Sequence, residues 1–217
     1  MIMEIIRFNL AGDWKDLDNL IIERTAEVIR RGGSVVFPTD TVYGLGVNAL
    51  DKDAVSRLFK IKKRPKTKPV PIIVRDIDMA KKYAYISCAK EKVLNSIWPG
   101  RVTAILPKKD ITPDILTAGK KTIGMRISAH PFIQLLMEEL DFPITATSAN
   151  FSGEPPMARS REVIKNFEKA YPRPTLILDA GDLPENSPST ILDLAGLKPK
   201  ITRLGPVSKK DLMKMFK

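Results

Sequence analysis

The sequence predicts a single α/β domain over residues 1–217: a twisted, mainly mixed open sheet flanked by helices, with a basic ligand cleft. Three observations carry that prediction. Apolar runs of strand length alternate along the chain with segments of helical periodicity. Two of those runs, ending near Phe37 and Ala146, feed directly into hydroxyl-rich turns, and open α/β sheets place their ligands at such strand ends. Finally, 43% of the 217 residues are hydrophobic, enough for a substantial core, and there is no fixed-period repeat, low-complexity tract or long linker to divide it.

Taken in order, residues 1–10 read as an opening strand and 16–31 as a helix with Leu17, Leu20, Ile21 and Val28 on one face, ended by Gly32 and Gly33. Val35–Phe37 is the next strand. Pro38 has no N–H for a ladder, so pairing is expected to stop there and leave Thr39, Asp40 and Thr41 in a fixed loop with hydroxyls open to a ligand. Gly44 and Gly46 permit positive φ or close backbone approach, which suits a cradle for a small anionic or nucleotide ligand. A strand entering an ordinary turn describes the same residues.

Asp51 caps a helix running to residue 61, with Ala54, Val55, Leu58 and Phe59 at helical spacing. Residues 60–69 form a proline-stiffened basic loop, 71–74 a strand, 78–83 and 89–97 helices, and 102–106 another strand. Residues 122–127 read as a strand carrying Arg126, and Pro131 opens a helix to residue 140. Residues 143–146 then deliver the second hydroxyl-rich turn, 147–153. A helix over 161–167 and strands over 175–178, 190–194 and 201–204 follow, and Ser208 with Asp211 caps a last short helix. The stretches 107–121 and 180–189 are expected to be surface loops bordering a cleft.

Composition excludes several classes. No apolar stretch approaches the ~20 residues of a membrane helix, and the N-terminus lacks a signal-peptide layout, so the expected location is the cytoplasm, away from membranes. One cysteine, Cys88, cannot make an internal disulfide, and with a single histidine a structural zinc site is not expected. A net charge of +11 favours polyanionic partners, nucleotides or RNA. The P-loop signature, the third glycine of a dinucleotide site and G-x-S-x-G are all missing. His130, before Pro131 at a helix start, reads as structural.

What remains is a set of anion-binding groups. Six of the nine residues from Lys60 to Lys68 are cationic, on a loop whose prolines limit flexing, so a triphosphate would fit there, although a solvated basic loop reads the same way. Arg126 sits among apolar neighbours on a strand, where it needs either a ligand anion or a structural salt bridge. Ser148, Asn150 and Ser152 either meet a ligand or cap a turn.

In order along the chain, Pro38-Thr39-Asp40-Thr41-Val42-Tyr43-Gly44-Leu45, Lys62-Lys63-Arg64-Pro65, Trp98-Pro99-Gly100 with Thr103, Arg126, Ser148-Ala149-Asn150-Phe151-Ser152-Gly153, Pro188-Ser189-Thr190 and Arg203 resemble the motifs of the YrdC/Sua5 family. That resemblance spans nearly the whole chain. It implies a YrdC-like fold and a threonylcarbamoyl-AMP synthase, a nucleotidyltransferase that joins L-threonine, bicarbonate and ATP, releases pyrophosphate and serves the threonylcarbamoyladenosine modification of tRNA. Mg²⁺ would arrive with ATP.

Implied partners beyond the substrates are tRNA and a downstream tRNA threonylcarbamoyl transferase complex. By resemblance, Lys62, Arg64, Lys68, Thr122, Ser148, Asn150 and Arg203 would hold ATP, with Lys62 and Arg64 catalytic. Thr39, Thr41, Arg126, Ala146 and Ser189 would surround threonine or its carbamate. Lys68 stands where many relatives carry asparagine, Arg101 replaces a common proline, and Pro156 replaces a common serine. The length resembles the short, YrdC-like form. Two other readings stay open: an RNA-binding module, for tRNA or double-stranded RNA, and a YciO-like protein, whose flavour Lys68-Pro69-Val70-Pro71 shares.

Overall fold

The computed structural model describes residues 3–8, 19–184 and 187–215. Its strands form two mixed sheets rather than one. The first contains β1 (Glu4–Arg7), β2 (Val35–Phe37), β3 (Gly44–Gly46), β8 (Thr147–Ser148) and β9 (Leu176–Asp179), in the order β1-β9-β2-β3-β8. The second contains β4 (Ile72–Ile73), β5 (Val102–Pro107), β6 (Thr122–Arg126), β7 (Ile144–Thr145), β10 (Thr190–Asp193) and β11 (Lys200–Arg203), in the order β11-β10-β5-β6-β4-β7. Both mix parallel and antiparallel ladders: β9 lies parallel to β1 and β2, while β3 runs antiparallel to β2 and β8.

Helices α1 (Asn19–Arg30), α2 (Lys52–Ile61), α3 (Ile77–Tyr83), α4 (Cys88–Ile97), α5 (Asp114–Thr117), α6 (Pro131–Glu139), α7 (Ser160–Glu168) and α8 (Lys209–Met215) complete the element order. The expected caps form. Asp51 accepts from the N–H groups of Asp53 and Ala54, and Ser208 accepts from the N–H of Asp211. Residues 1–2 and 9–10 of the expected first strand, 16–18 of the expected first helix and 185–186 of the expected loop over 180–189 lie outside the described residues. The short helix α5 falls inside the stretch read as a surface loop, because four residues are too few to show a helical period.

The expected glycine cradle is instead a strand. Gly44 and Gly46 have no positive φ and pair across the ladder with Phe37 and Val35. A Cβ added to Gly44 would lie 2.7 Å from the Phe37 ring, and one added to Gly46 2.6 Å from it. The glycines therefore make room for a fully buried aromatic side chain. The second turn likewise contains a short strand, β8.

The chain from Ile144 to Ser148 passes from the second sheet to the first, with Ala146 at the crossing. Its seam is stitched by backbone. Thr145 N donates to Val47 O at 2.9 Å, and Ala146 N to Pro71 O at 2.7 Å. One continuous hydrophobic cluster, from Ile22 on α1 to Leu212 on α8, underlies both sheets.

Candidate functional site

A cavity of about 380 Å³ opens at this seam. Nine of the twelve residues expected at the site line it: Thr39, Thr41, Arg64, Arg126, Ala146, Ser148, Asn150, Ser189 and Arg203. They arrive from both sheets and from the turn that ends α2.

That turn is a Schellman motif. The N–H of Arg64 donates to Phe59 O at 2.9 Å and that of Lys63 to Lys60 O at 3.0 Å, with Lys63 left-handed at φ 49°. The helix is thereby stopped and Arg64 turned toward the cavity. Its Nη2 donates to Pro69 O at 2.7 Å and its Nε to Lys68 O at 3.2 Å.

Arg126, at the end of β6, is buried and held on several sides. Its Nη2 pairs with Asp40, its Nε donates to Gly100 O at 2.7 Å and its Nη1 reaches Thr41 Oγ1 at 3.4 Å. Asp40 also accepts from Ser128 Oγ at 2.9 Å. The structural salt bridge left open by the sequence therefore exists, and the arginine still lines the cavity. Arg203 donates from Nη2 to Ser189 O at 2.7 Å, and Ser189 Oγ lies 2.8 Å from Thr103 Oγ1.

The three arginines differ in what balances them. Asp40 neutralises Arg126, whereas Arg64 and Arg203 meet carbonyl oxygens and form no ion pair with any described carboxylate. Burial lowers the pKa of all three, yet a guanidinium this basic stays charged. Two uncompensated, partly desolvated cations therefore face one cavity, where an anion restores balance.

The hydroxyls also separate. Thr39 Oγ1 donates to Val42 O at 2.7 Å and accepts from Thr41 N at 3.1 Å, so its hydrogen bonds are spent on the turn that the sequence left open to a ligand. Ser148 Oγ has no described partner. Asn150 donates from Nδ2 to Glu154 O at 2.6 Å, while its buried Oδ1 has no described partner.

Three expected ATP ligands lie elsewhere. The ammonium of Lys62 turns inward, donating to Asn150 O at 2.6 Å and to Ser148 O, and its side chain is fully buried. Burial, followed by the nearby charge of Arg64, lowers its pKa to about 7. Lys62 therefore pins the backbone behind Ser148 and Asn150 and does not line the cavity, because its position as the C-cap of α2 aims it into the protein. Lys68 is exposed outside the cavity. Thr122 shares a face of β6 with Arg126 but pairs with Pro107 at the far end, about 13 Å away along the strand.

Sequence reasoning gave no role to Asp40, Gly100 O, Ser128 or Glu154. Asp40 carried a signal, a carboxylate next to a buried strand and needing a cation. The others act through backbone or pair only in three dimensions. Among the described residues, no group of three or more His, Cys, Asp or Glu side chains stands together to hold a metal ion. No described helix is long and apolar enough to cross a membrane.

Comparison with known proteins bears on the chain as a whole. A threonylcarbamoyl-AMP synthase from Pyrococcus abyssi is 35% identical over 205 residues, covering 94% of this chain and 58% of that protein. The crystal structure of P. abyssi Sua5 complexed with L-threonine superposes with a TM-score of 0.88 at 33% identity, covering 99% of this chain and 61% of that one. The crystal structure of Escherichia coli YciO gives a TM-score of 0.81 at 28% identity, covering 97% and 98%. This chain thus spans little more than half the length of its P. abyssi and Bacillus subtilis synthase relatives, 58% and 55%. A model of the Sua5, YciO and YrdC proteins, described as "Telomere recombination", matches residues 27–205, and the chain belongs to that family.

Proposed function

We propose that this protein is an L-threonylcarbamoyladenylate synthase. It would convert L-threonine, bicarbonate and Mg-ATP into threonylcarbamoyl-AMP and pyrophosphate, as a nucleotidyltransferase supplying tRNA modification. The observation that carries this reading is the convergence of Arg64, Arg126 and Arg203 with Ser148 and Ser189 on one cavity. The name of the P. abyssi relative, and the threonine bound by P. abyssi Sua5, support it.

The threonine amine adds to carbon dioxide or bicarbonate to give a carbamate. A carbamate oxygen then attacks the α-phosphorus, and the bond from that phosphorus to the α,β-bridging oxygen breaks as pyrophosphate leaves. Because the attacking group is already an anion, no strong base is needed; the protein must hold two anions in line and offset the charge that builds on phosphate oxygens.

The division of charge suits that task. Arg126, paired with Asp40, would meet the threonine carboxylate with the N–H groups that this pair leaves free, with Ala146 and Ser189 beside it. Arg64 and Arg203, lacking carboxylate partners, would take the phosphates. Ser148 Oγ and Asn150 Oδ1 remain for the nucleotide. Lys62 would position that wall from behind.

Mass detection of threonylcarbamoyl-AMP, with each substrate omitted in turn, tests the reading. Product is expected only in the complete mixture. No product in any mixture would return the chain to a YciO-like reading, which its overlap with nearly all of E. coli YciO supports.

A further inference from the structure

Thr103 is a hydroxyl set into an apolar strand. On β5 it stands between Val102 and Ala104, all three buried, where an unpaired polar group is costly. β10 lies parallel to β5 with Ile191 opposite Thr103, and Ser189, two residues before Ile191, reaches the same face; all three line the cavity. The side chain is fixed from the other flank as well. A Cβ added to Gly124 on β6 would lie 3.4 Å from Thr103 Cγ2, so the methyl of Thr103 faces β6 and its hydroxyl faces Ser189.

Thr103 Oγ1 has one described hydrogen bond, the 2.8 Å contact with Ser189 Oγ. Ser189 has a second partner: Arg203 Nη2 donates to Ser189 Oγ at 3.3 Å as well as to Ser189 O at 2.7 Å. A serine hydroxyl offers two lone pairs and one proton, whereas a guanidinium only donates. A single proton lies between the two hydroxyls, so the pair holds another in reserve. When Thr103 is the donor, Thr103 and Arg203 fill both lone pairs of Ser189, and the serine proton is left for an acceptor in the cavity. Two donors onto one oxygen also polarise it, which strengthens the bond its own proton makes.

We propose that Thr103 is a positioning residue that donates to Ser189 and so aims the serine proton at the carboxylate of bound threonine. The inference rests on the synthase reading and adds to it a residue that acts through another. Of the two hydroxyls, Ser189 is the one that Arg203 also holds, so an anion placed beside it meets a proton already directed. Without Thr103 Oγ1 one lone pair of Ser189 is left empty, and the serine proton rotates freely.

The test is calorimetric titration of L-threonine into the full chain, with threonine KM, kcat and ATP affinity read alongside. Thr103→Val keeps the shape and removes the hydroxyl. It is expected to weaken threonine binding and raise the threonine KM by about 3- to 10-fold, while kcat and ATP affinity stay within roughly twofold of wild type. Thr103→Ser, which retains the hydroxyl, should restore the threonine affinity. On a Ser189→Ala background Thr103→Val should add nothing, because its effect passes through the missing serine. Unchanged threonine affinity in Thr103→Val, an equal loss for ATP, no rescue by Thr103→Ser, or a further loss on the Ser189→Ala background would each overturn the inference. Wild-type protein that binds threonine but forms no adenylate refutes the synthase reading alone. An active wild type whose threonine titration matches that of Thr103→Val refutes this inference alone, and a wild type that binds no threonine refutes both.

Discussion

The cavity and a second concavity, a groove of about 1030 Å³ where the ends of α1 and α2 meet the segment between α7 and β9, are both cationic, and they hold their charge differently. In the cavity, Arg126 is buried against Asp40, Arg64 is half-buried and the more exposed Arg203 is held by Ser189 O, so the forks are aimed before a ligand arrives. In the groove lined by Arg57, Lys60, Lys169 and Arg173, the two lysines are exposed with no described hydrogen bond, and each arginine is held by a single carbonyl. A preorganised fork gains specificity because its ordering is done during folding. A solvated cation gains reach and speed, and it loses them as salt rises. The comparison teaches that net charge does not separate the two regions, whereas burial against a counter-charge, as at Arg126 and Asp40, marks where a cation is preorganised.

Substitutions at the two regions should differ most at Asp40. Asp40→Ala leaves Arg126 buried without its counter-charge and should cost about 3–5 kcal/mol, lowering Tm by roughly 6–20 °C. A melt no worse than that of a groove variant would break the contrast.

Next comes Lys62. Its amine has a pKa near 7 when folded and near 10.5 when exposed, so between those values the unfolded chain holds a proton that the folded chain lacks. Stability therefore rises with pH across that window, and the cost of burying the charge is complete below about pH 7. Lys62→Met should remove this rise, read as the pH dependence of Tm relative to wild type.

Smaller again, Arg64→Ala deletes a charged hydrogen-bonding fork worth about 1.5–3 kcal/mol per bond, and should weaken ATP binding about 10- to 150-fold by calorimetry. Arg126→Ala should act chiefly on the threonine requirement. Identical effects on both substrates would erase the division of roles. Smallest of all, Arg173→Gln should move stability within ~0.5 kcal/mol in a urea melt.

Particular residues show how far the sequence could lead. Asp51 and Ser208 announced their helices because a cap is a local device. The strand of Arg126 was legible from its apolar neighbours. Nine of the expected residues meet at one cavity, and their order along the chain is what the family resemblance supplied. That Lys62 turns away from the cavity was not legible: charge is visible in a sequence, but the direction of a side chain at a helix end is not. Gly44 and Gly46 invite a positive φ that they do not adopt, because a flexible residue has one signature and several uses; Phe37, across the ladder, reveals the packing use, and Gly44 lines the cavity as well. The split into two sheets depends on a crossing at Ala146, for which no residue type is diagnostic.

That crossing has a thermodynamic corollary. Thr39 and Arg203 stand near opposite ends of the polypeptide, yet both border a single hollow between independently laddered layers. A molecule lodged there acts as a rivet, since neither layer can peel away without releasing it. Occupancy therefore guards distant stretches of backbone at once, and amide exchange should slow in concert from β2 to β11 when the hollow fills.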